Sequence, residues 1–232
     1  MKNNLLNHDR FNTWQTCRKK YYFKYIKELK YPEFHQDYEL GKSVHALIDY
    51  HLRGLNIEHL LKNSDKEIIV DNEIYKRWNA IKNHPILDKK VIKTEWGFNT
   101  NLKGTSHWLI GRIDAIFFDE EKGKYIIADW KTGIIPKNIN TNFQHQIYLY
   151  ALYQSRKDLG IDFKPENLVF QYFKIIPDAV EITEITFSEE KSLEYEENFV
   201  KIINKIENTI QFPAQENCQV KICSYKSICK NN

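Results

Sequence analysis

The sequence predicts an α/β protein with a mixed sheet (α+β), in which helices flank the sheet. Its 232 residues are enough for one ample hydrophobic core. An apolar content of 42%, with 14% aromatic residues, is typical of a globular fold. Segments rich in β-branched and aromatic residues alternate with segments of helical periodicity, which predicts strands and helices packed in layers. We therefore expect a single domain over residues 1–232.

Composition and charge exclude several classes of protein. Neither a membrane-spanning apolar run nor a secretory leader occurs, so we expect a cytoplasmic protein in a reducing compartment with no membrane partner. The net charge of +3 is compatible with an anionic partner without requiring one. Residues 41–43 resemble the end of a phosphate-binding loop, but Gln36 occupies the position of that motif's first glycine, which excludes an ATPase of this type.

A hairpin is predicted between residues 110–118 and 125–130, because two runs of β-branched and aromatic residues enclose a polar turn with Gly123. A four-residue turn would place Asp119 opposite Lys124. The resulting register gives two faces that are both apolar near the turn, so we expect packed layers on both sides of the sheet. One face has Asp114, Ile116, Phe118, Asp129, Ile127 and Tyr125, and the other has Ile113, Ala115, Phe117, Ile126, Ala128 and Trp130.

The same register brings two carboxylates and an amine together at one end of the sheet. Asp114 lies opposite Asp129, and Lys131 shares the face of Asp129 two residues further on. Neighbouring buried carboxylates are costly unless a cation lies between them, and hard divalent ions prefer oxygen ligands. We therefore expect Mg²⁺ or Mn²⁺ at Asp114 and Asp129, with the Trp130 carbonyl as a further ligand. Lys131 would orient or activate a water, or neutralise charge on a phosphate.

The acidic-x-Lys triplet at Asp129 is weak evidence by itself, because the chain contains six such triplets. Only the triplet at Asp129 follows an apolar strand, ends in a glycine turn and has a second aspartate across a predicted hairpin. These added conditions, rather than the triplet, support the metal-site hypothesis.

Residues 7–30 have the periodicity of a helix and allow two interpretations. The apolar stripe consists of Phe11, Trp14, Cys17, Tyr21 and Tyr25, and between them lie Arg18, Lys19, Lys20, Lys24, Tyr22 and Phe23. A basic face with aromatic neighbours would follow a phosphate backbone and stack on bases. Equally, the aromatic residues would form core and the lysines would be solvated.

Further helices are predicted over residues 40–53, 73–83, 141–160 and 188–212, and further strands over residues 91–100, 168–177 and 180–187. The first of these helices ends at Gly54 and has His45 near its apolar side, where a histidine is more often core than ligand. The amphipathic helix over residues 141–160 has Gln146 and Tyr150 on one face. The strand over residues 91–100 would pair with the hairpin.

Four cysteines divide between the two ends of the chain: Cys17 near the start, and Cys218, Cys223 and Cys229 near the end. In an intracellular protein they favour metal binding over disulfides. Their spacing is loose for a zinc ribbon but compatible with a cubane [4Fe-4S] cluster, and unligated thiols are the alternative. A cluster would offset a loop-closure cost on the order of 5 kcal/mol. It would clamp residues 1–30 and 212–232 around a core of residues 40–211.

Together these segments resemble the PD-(D/E)XK nuclease superfamily, in particular its RecB-like branch and the related CRISPR-associated adaptation nucleases. The matching segments, in the family's order, are TCRKKYYFKYI, GKSVHALI, GRIDAI, DWKTG, QIYLY and the cysteine tail. The resemblance implies a restriction-endonuclease-like core sheet flanked by helices.

The resemblance also implies roles for single residues. His45, Asp114 and Asp129 would be metal ligands, and Lys131 would be the catalytic lysine. The helix motif at Gln146 and Tyr150 would support the active site and contact DNA. Glu95 occupies an acidic position often seen on the strand before GRID, where a surface ion pair is an equal alternative.

For the four cysteines, the resemblance implies an iron–sulfur cluster held by Cys17, Cys218, Cys223 and Cys229. Four residues separate Cys218 from Cys223, whereas the family commonly has two at this point.

The leading hypothesis is a metal-dependent DNA nuclease, an exonuclease on single strands or duplex ends, in which water activated at the metal hydrolyses phosphodiester bonds. The alternative is a nuclease-fold subunit that binds DNA or scaffolds a repair or CRISPR adaptation complex without turnover. Helicase or CRISPR adaptation proteins would then be its partners. An iron–sulfur redox or sensor protein ranks last, because a cluster would not explain His45, Asp114, Asp129 and Lys131.

Overall fold

The computed structural model describes residues 4–30, 36–62, 67–133, 135, 139–215, 218 and 223–229. The strands are β1 Leu5–Leu6, β2 Lys90–Asn101, β3 Trp108–Asp119, β4 Lys124–Lys131, β5 Leu168–Ile176 and β6 Ala179–Thr186. The helices are α1 His8–Thr16, α2 Arg18–Tyr21, α3 Gln36–Leu52, α4 Glu58–Leu61, α5 Asn72–Ile81, α6 Phe143–Ser155, α7 Glu189–Glu207 and α8 Lys226–Cys229. A π-helical turn follows α2 at Tyr22–Ile26, and 3₁₀ turns lie at Pro85–Asp88, Ile139–Thr141 and Pro165–Asn167.

The six strands of the described residues form one mixed sheet, which was predicted, whereas the short strand β1 was not. Strand β3 pairs antiparallel with β2 along its length, while β1 and β4 pair with its two ends. Strand β4 pairs parallel with β5, which pairs antiparallel with β6. The pairing of Asp119 with Lys124 confirms the four-residue turn of the predicted hairpin.

Helices cover the sheet on both sides, so the expected packed layers are present. One cluster of buried side chains joins the sheet to α1, α6 and α7. The other joins it to α3 and α5. None of the helices in the described part of the chain combines the length and apolar content of a membrane span.

Near the turn, the side chains of the hairpin lie on the predicted faces of the sheet, but at Ile113 they do not. Ile116 packs in the α6 layer and Phe117 in the α3 layer, as expected. Ile113 was predicted to share the face of Phe117, but it packs in the α6 layer with Ile116. The change coincides with an irregularity in the sheet, where the β2–β3 pairing omits Glu95 and Asp114 and Glu95 has a left-handed φ of 49°. The alternation of side chains along β3 therefore changes at Asp114.

The predicted helix over residues 7–30 is broken at Cys17. This residue is extended, with φ −159° and ψ 114°, and its Sγ accepts a hydrogen bond from the Lys20 N–H of the next helix. Phe11 and Trp14 are fully or nearly buried, so the aromatic stripe belongs to the core. Arg18 stacks over Trp14 at 3.8 Å from the ring centre, and Lys24 pairs with Asp9 at 2.8 Å.

Helix α6 is not amphipathic over its first ten residues, contrary to the prediction. Every residue from Phe143 to Leu152 is buried, because the helix is packed among the sheet, α1 and α7. Polar side chains at the start of α6 are therefore enclosed by protein and need partners.

Candidate metal centre

Three possible metal ligands converge from three elements of the described structure. His45 of α3, Glu95 of β2 and Asp114 of β3 each offer a ligand atom, and these atoms lie within 4.8 Å of one another. They line an open cleft of about 560 Å³ at the α3 side of the sheet. Two carboxylates and one imidazole form a donor set that fits Mg²⁺ or Mn²⁺, in which carboxylate oxygens predominate.

His45 is fixed between a carboxylate and a backbone carbonyl. Its Nδ1 lies 3.4 Å from Asp114 Oδ2, and its Nε2–H donates to the Trp130 carbonyl over 2.8 Å. Burial lowers the pKa of His45, but the hydrogen bond and the charge of Asp114 outweigh burial and raise it overall. The His45 imidazole therefore contacts Asp114 and the Trp130 carbonyl, both of which the sequence analysis proposes as metal ligands.

The sequence positions His45 through the apolar side of α3. Val44 and Ile48 are fully buried against the sheet, which directs the intervening His45 towards the cleft. A Cβ at Gly41 would lie 3.1 Å from Thr132 Oγ1, so the start of α3 approaches the end of β4 closely. This close approach explains why glycine suits position 41 better than a larger residue.

Glu95 belongs to the site, a role that sequence reasoning left open. It is one of three non-glycine residues with positive φ in the described chain, and this left-handed backbone turns its carboxylate into the cleft. Arg112 Nε lies 2.9 Å from Glu95 Oε2, so the alternative of an ion pair is also realised. Burial raises the pKa of Glu95, and the negative charge of Asp114 raises it further.

Asp129 lies beside this group rather than within it. Its side chain is almost fully buried, with Lys131 Nζ 2.8 Å from Oδ2 and Gln144 Nε2 donating to Oδ1 over 2.6 Å. Burial raises the pKa of Asp129, while the charge of Lys131 opposes this rise. Asp114 instead accepts a hydrogen bond from the Trp130 N–H, 2.9 Å from its Oδ2. The predicted aspartate pair is therefore joined through the Trp130 backbone and not by direct contact.

Helix α6 contains, besides the predicted pair Gln146 and Tyr150, a second pair with the same spacing, one member of which contacts Asp129. Tyr150 donates to Glu196 of α7 over 2.6 Å, and Gln146 is buried one turn earlier on the same face. The spacing Gln-x-x-x-Tyr occurs a second time at Gln144 and Tyr148. Gln144 contacts Asp129, and burial together with the charge of Asp129 raises the pKa of Tyr148. The signal for this pair was present in the sequence as an overlapping match two residues earlier.

His8 is a neighbour of the site that no sequence pattern indicated. Its ring meets the edge of Tyr148, with 6.0 Å between the ring centres. Burial and the charge of Lys131 lower the pKa of His8 to about 4, so the imidazole is neutral at pH 7. Only the tertiary fold brings the start of α1 to the end of β4.

The four cysteines lie near one another at the junction of the chain ends. Burial raises the pKa of Cys229, and the neighbouring sulfurs of Cys17, Cys223 and Cys218 raise it further. Among the residues that the structure describes, these sulfurs do not form a group within the 4.8 Å that a single-ion site would require.

The chain is similar to a known family and to two solved structures. A profile of the PD-(D/E)XK nuclease superfamily matches residues 6–230, nearly the whole chain. A protein from Eubacterium rectale described as a "Putative exonuclease" has a similar fold, with TM-score 0.54 and 11% identity over 99% of this chain and 88% of that chain. A second solved protein, SSO0001, has TM-score 0.42 and 19% identity over 100% of this chain and 88% of its own. No curated relative matches significantly. Because the profile match spans almost every residue, the chain belongs to the PD-(D/E)XK nuclease superfamily.

Proposed function

We propose that this protein is a metal-dependent deoxyribonuclease that hydrolyses phosphodiester bonds in the cleft beside β3 and β4, as an exonuclease of the RecB-like kind. The convergence of His45, Glu95 and Asp114 next to the Asp129–Lys131 pair is the observation that supports it. Mg²⁺ or Mn²⁺ bound there would polarise a phosphate oxygen and lower the pKa of water.

The protein groups have separate tasks in this proposal. His45, Glu95 and Asp114 would hold the ion, and Asp129 and the Trp130 carbonyl would complete its ligands from the adjoining end of β4. Lys131, about one-quarter exposed and 2.8 Å from Asp129, orients the attacking water and neutralises charge that develops on the phosphate. Gln144 keeps the Asp129 carboxylate in place, because its side-chain amide donates a hydrogen bond to one carboxylate oxygen.

The test is cleavage of end-labelled single-stranded and duplex DNA by the full chain with Mg²⁺ or Mn²⁺. We expect Lys131→Ala to reduce the rate about 100-fold or more, the usual loss when a charge-stabilising group is removed. Lys174→Ala is the matched control, because Lys174 is the register partner of Lys131 on β5 and pairs with the exposed Glu181 instead. Equal cleavage by the wild type and Lys131→Ala would contradict the assigned mechanism. Binding without cleavage under every divalent metal would favour a non-catalytic DNA-binding or scaffolding subunit.

We further propose a [4Fe-4S] cluster at Cys17, Cys218, Cys223 and Cys229. Contacts between the chain ends support it: Lys19 N–H donates to the Pro213 carbonyl over 3.1 Å, and Tyr225 Oη donates to the Leu29 carbonyl over 2.8 Å. Iron content and visible absorbance of the anaerobically purified protein test this proposal. Iron-free protein whose four thiols all react with a thiol reagent would contradict it.

A further inference from the structure

The sheet face that holds Arg112 continues past the cleft as an exposed strip between β2 and β3. Gly97 pairs with Arg112, Asn99 with Ile110, and Asn101 with Trp108. These six residues, called here the β2–β3 strip, are exposed or half-buried, whereas the alternate residues Phe98, Thr100, Leu109 and Ile113 face the α6 layer and are buried. The strip runs four residues along β3 from Arg112 to Trp108, about 13 Å.

We propose that the β2–β3 strip binds the unpaired bases of single-stranded DNA whose backbone enters the cleft. This inference rests on the proposed nuclease function and names its substrate class. The strip is continuous with the cleft, because Arg112 lines the cleft and is also the last member of the strip.

The side chains of the strip suit bases rather than a protein partner. Trp108 is 40% exposed, and an exposed indole face can stack on any base. Asn99 offers an amide that can donate and accept hydrogen bonds at a base edge. The strip contains no carboxylate of its own, and its charged member is Arg112, whose side chain is 70% exposed and pairs with Glu95 of the cleft. The strip itself therefore adds no negative charge that would repel a polyanion.

Gly97 leaves room for a ligand directly above the backbone. A Cβ built at this position would meet no atom within 4 Å, so the space beside Arg112 is open. A glycine inside a strand commonly marks a point where a ligand or a second backbone approaches closely.

A strip of exposed side chains on a sheet distinguishes single strands from duplexes. In a duplex the bases stack on one another and their faces are covered, so a tryptophan in a sheet cannot reach them. A single strand presents its base faces, and aromatic residues on a sheet are a common platform for them.

Fluorescence anisotropy with labelled oligothymidine of about ten nucleotides, a typical site size, tests the proposal in EDTA so that no cleavage occurs. We expect Trp108→Ala to weaken binding of the single strand about 5- to 150-fold, the range expected for loss of one stacked base. Trp108→Phe should retain most of the affinity, since an aromatic face remains.

Gly97→Val should also weaken binding of the single strand without lowering the unfolding midpoint, because the valine side chain enters open space. Ile182→Ala, at a residue 46% exposed on the edge strand β6, is the control and should bind like the wild type.

Several outcomes would overturn the proposal. Unchanged binding by both Trp108→Ala and Gly97→Val would do so, and so would an equal loss for single-stranded and duplex DNA. A wild-type dimer that Trp108→Ala converts to monomer, with DNA binding unaffected, would assign the strip to self-association. Cleavage by the wild type is measured separately with Mn²⁺. A selective loss of single-strand binding in a protein that never cleaves DNA would retain this inference and reject the proposed nuclease activity.

Discussion

The Gln144 amide illustrates how one buried side chain orients a carboxylate beside the candidate metal centre. Gln144 and Asp129 are both nearly enclosed, and 2.6 Å separates Gln144 Nε2 from Asp129 Oδ1. A buried carboxylate that loses a hydrogen-bond donor retains its desolvation cost and gains freedom to rotate. The orientation of Asp129 towards an ion therefore depends on Gln144 as well as on Lys131.

We predict that Gln144→Met raises the Mn²⁺ concentration for half-maximal cleavage about 10- to 100-fold, as loss of a hydrogen bond to a metal ligand commonly does. Methionine keeps the volume of glutamine but donates no hydrogen bond. Gln146→Met, a buried glutamine two residues along the same helix, is the control and should change this concentration less. A larger effect at Gln146 would show that the other Gln-x-x-x-Tyr pair serves the site.

Strand β2 shows how an irregular element creates a site. A register jump between Val91 and Lys93 and the left-handed backbone of Glu95 interrupt an otherwise continuous antiparallel ladder. A regular strand would alternate side chains strictly between the two layers of the protein. The irregularity instead brings the Glu95 carboxylate to Asp114, at the cost of an unfavourable backbone conformation.

We predict that Glu95→Gly makes the protein more stable and less active. Glycine adopts a positive φ without the steric cost of a Cβ, which is about 1–2 kcal/mol, although its greater freedom in the unfolded chain offsets part of this gain. Urea unfolding should therefore show a free energy of unfolding higher by about 1 kcal/mol, while cleavage with Mn²⁺ falls. Glu95→Ala is the control, since it removes the carboxylate but keeps the Cβ. Should Glu95→Gly be less stable than Glu95→Ala, the backbone at position 95 is not strained.

At the scale of the whole molecule, the two ends of the chain pack against each other. Phe23 stacks on Tyr225 with 5.7 Å between ring centres, and Trp14 meets Phe212 at 6.1 Å. These contacts join segments separated by nearly the full chain, so they close a long loop whose ordering is entropically costly. An iron–sulfur cluster bound by cysteines from both chain ends would keep this loop closed for as long as the cluster is present.

We predict that chelation of iron lowers the unfolding temperature of the anaerobically purified protein, because the cluster no longer closes the loop between Cys17 and the C-terminal cysteines. The loop-closure cost corresponds to a decrease on the order of 10 °C for a protein of this size. Cys17→Ser should unfold at the lower temperature with or without chelator. An unfolding temperature that is identical before and after complete removal of iron would contradict a clamping role.

The hairpin and the placement of its two aspartates were predictable because they depend on local rules. Alternation of apolar residues and a turn with Gly123 specify the pairing of Asp119 with Lys124, which in turn places Asp114 and Asp129 near one end of the sheet. The sequence likewise identifies the end of α3 at Gly54, whose φ of 72° suits glycine. The order of the main strands and helices follows from the same periodicities.

The tertiary structure decided what depends on contacts between distant segments. The Gln-x-x-x-Tyr pattern begins at both Gln144 and Gln146, and the sequence does not distinguish the two matches. Only the packing of α6 among the sheet, α1 and α7 turns Gln144 towards Asp129. The positions of Glu95 and His8 depend on a strand irregularity and on the docking of α1, neither of which changes the hydrophobic pattern. By itself, therefore, the sequence determined the main elements and most of the candidate site residues, because these follow from local periodicity and residue chemistry. Which of those groups meet was decided by long-range packing, which local periodicity does not encode.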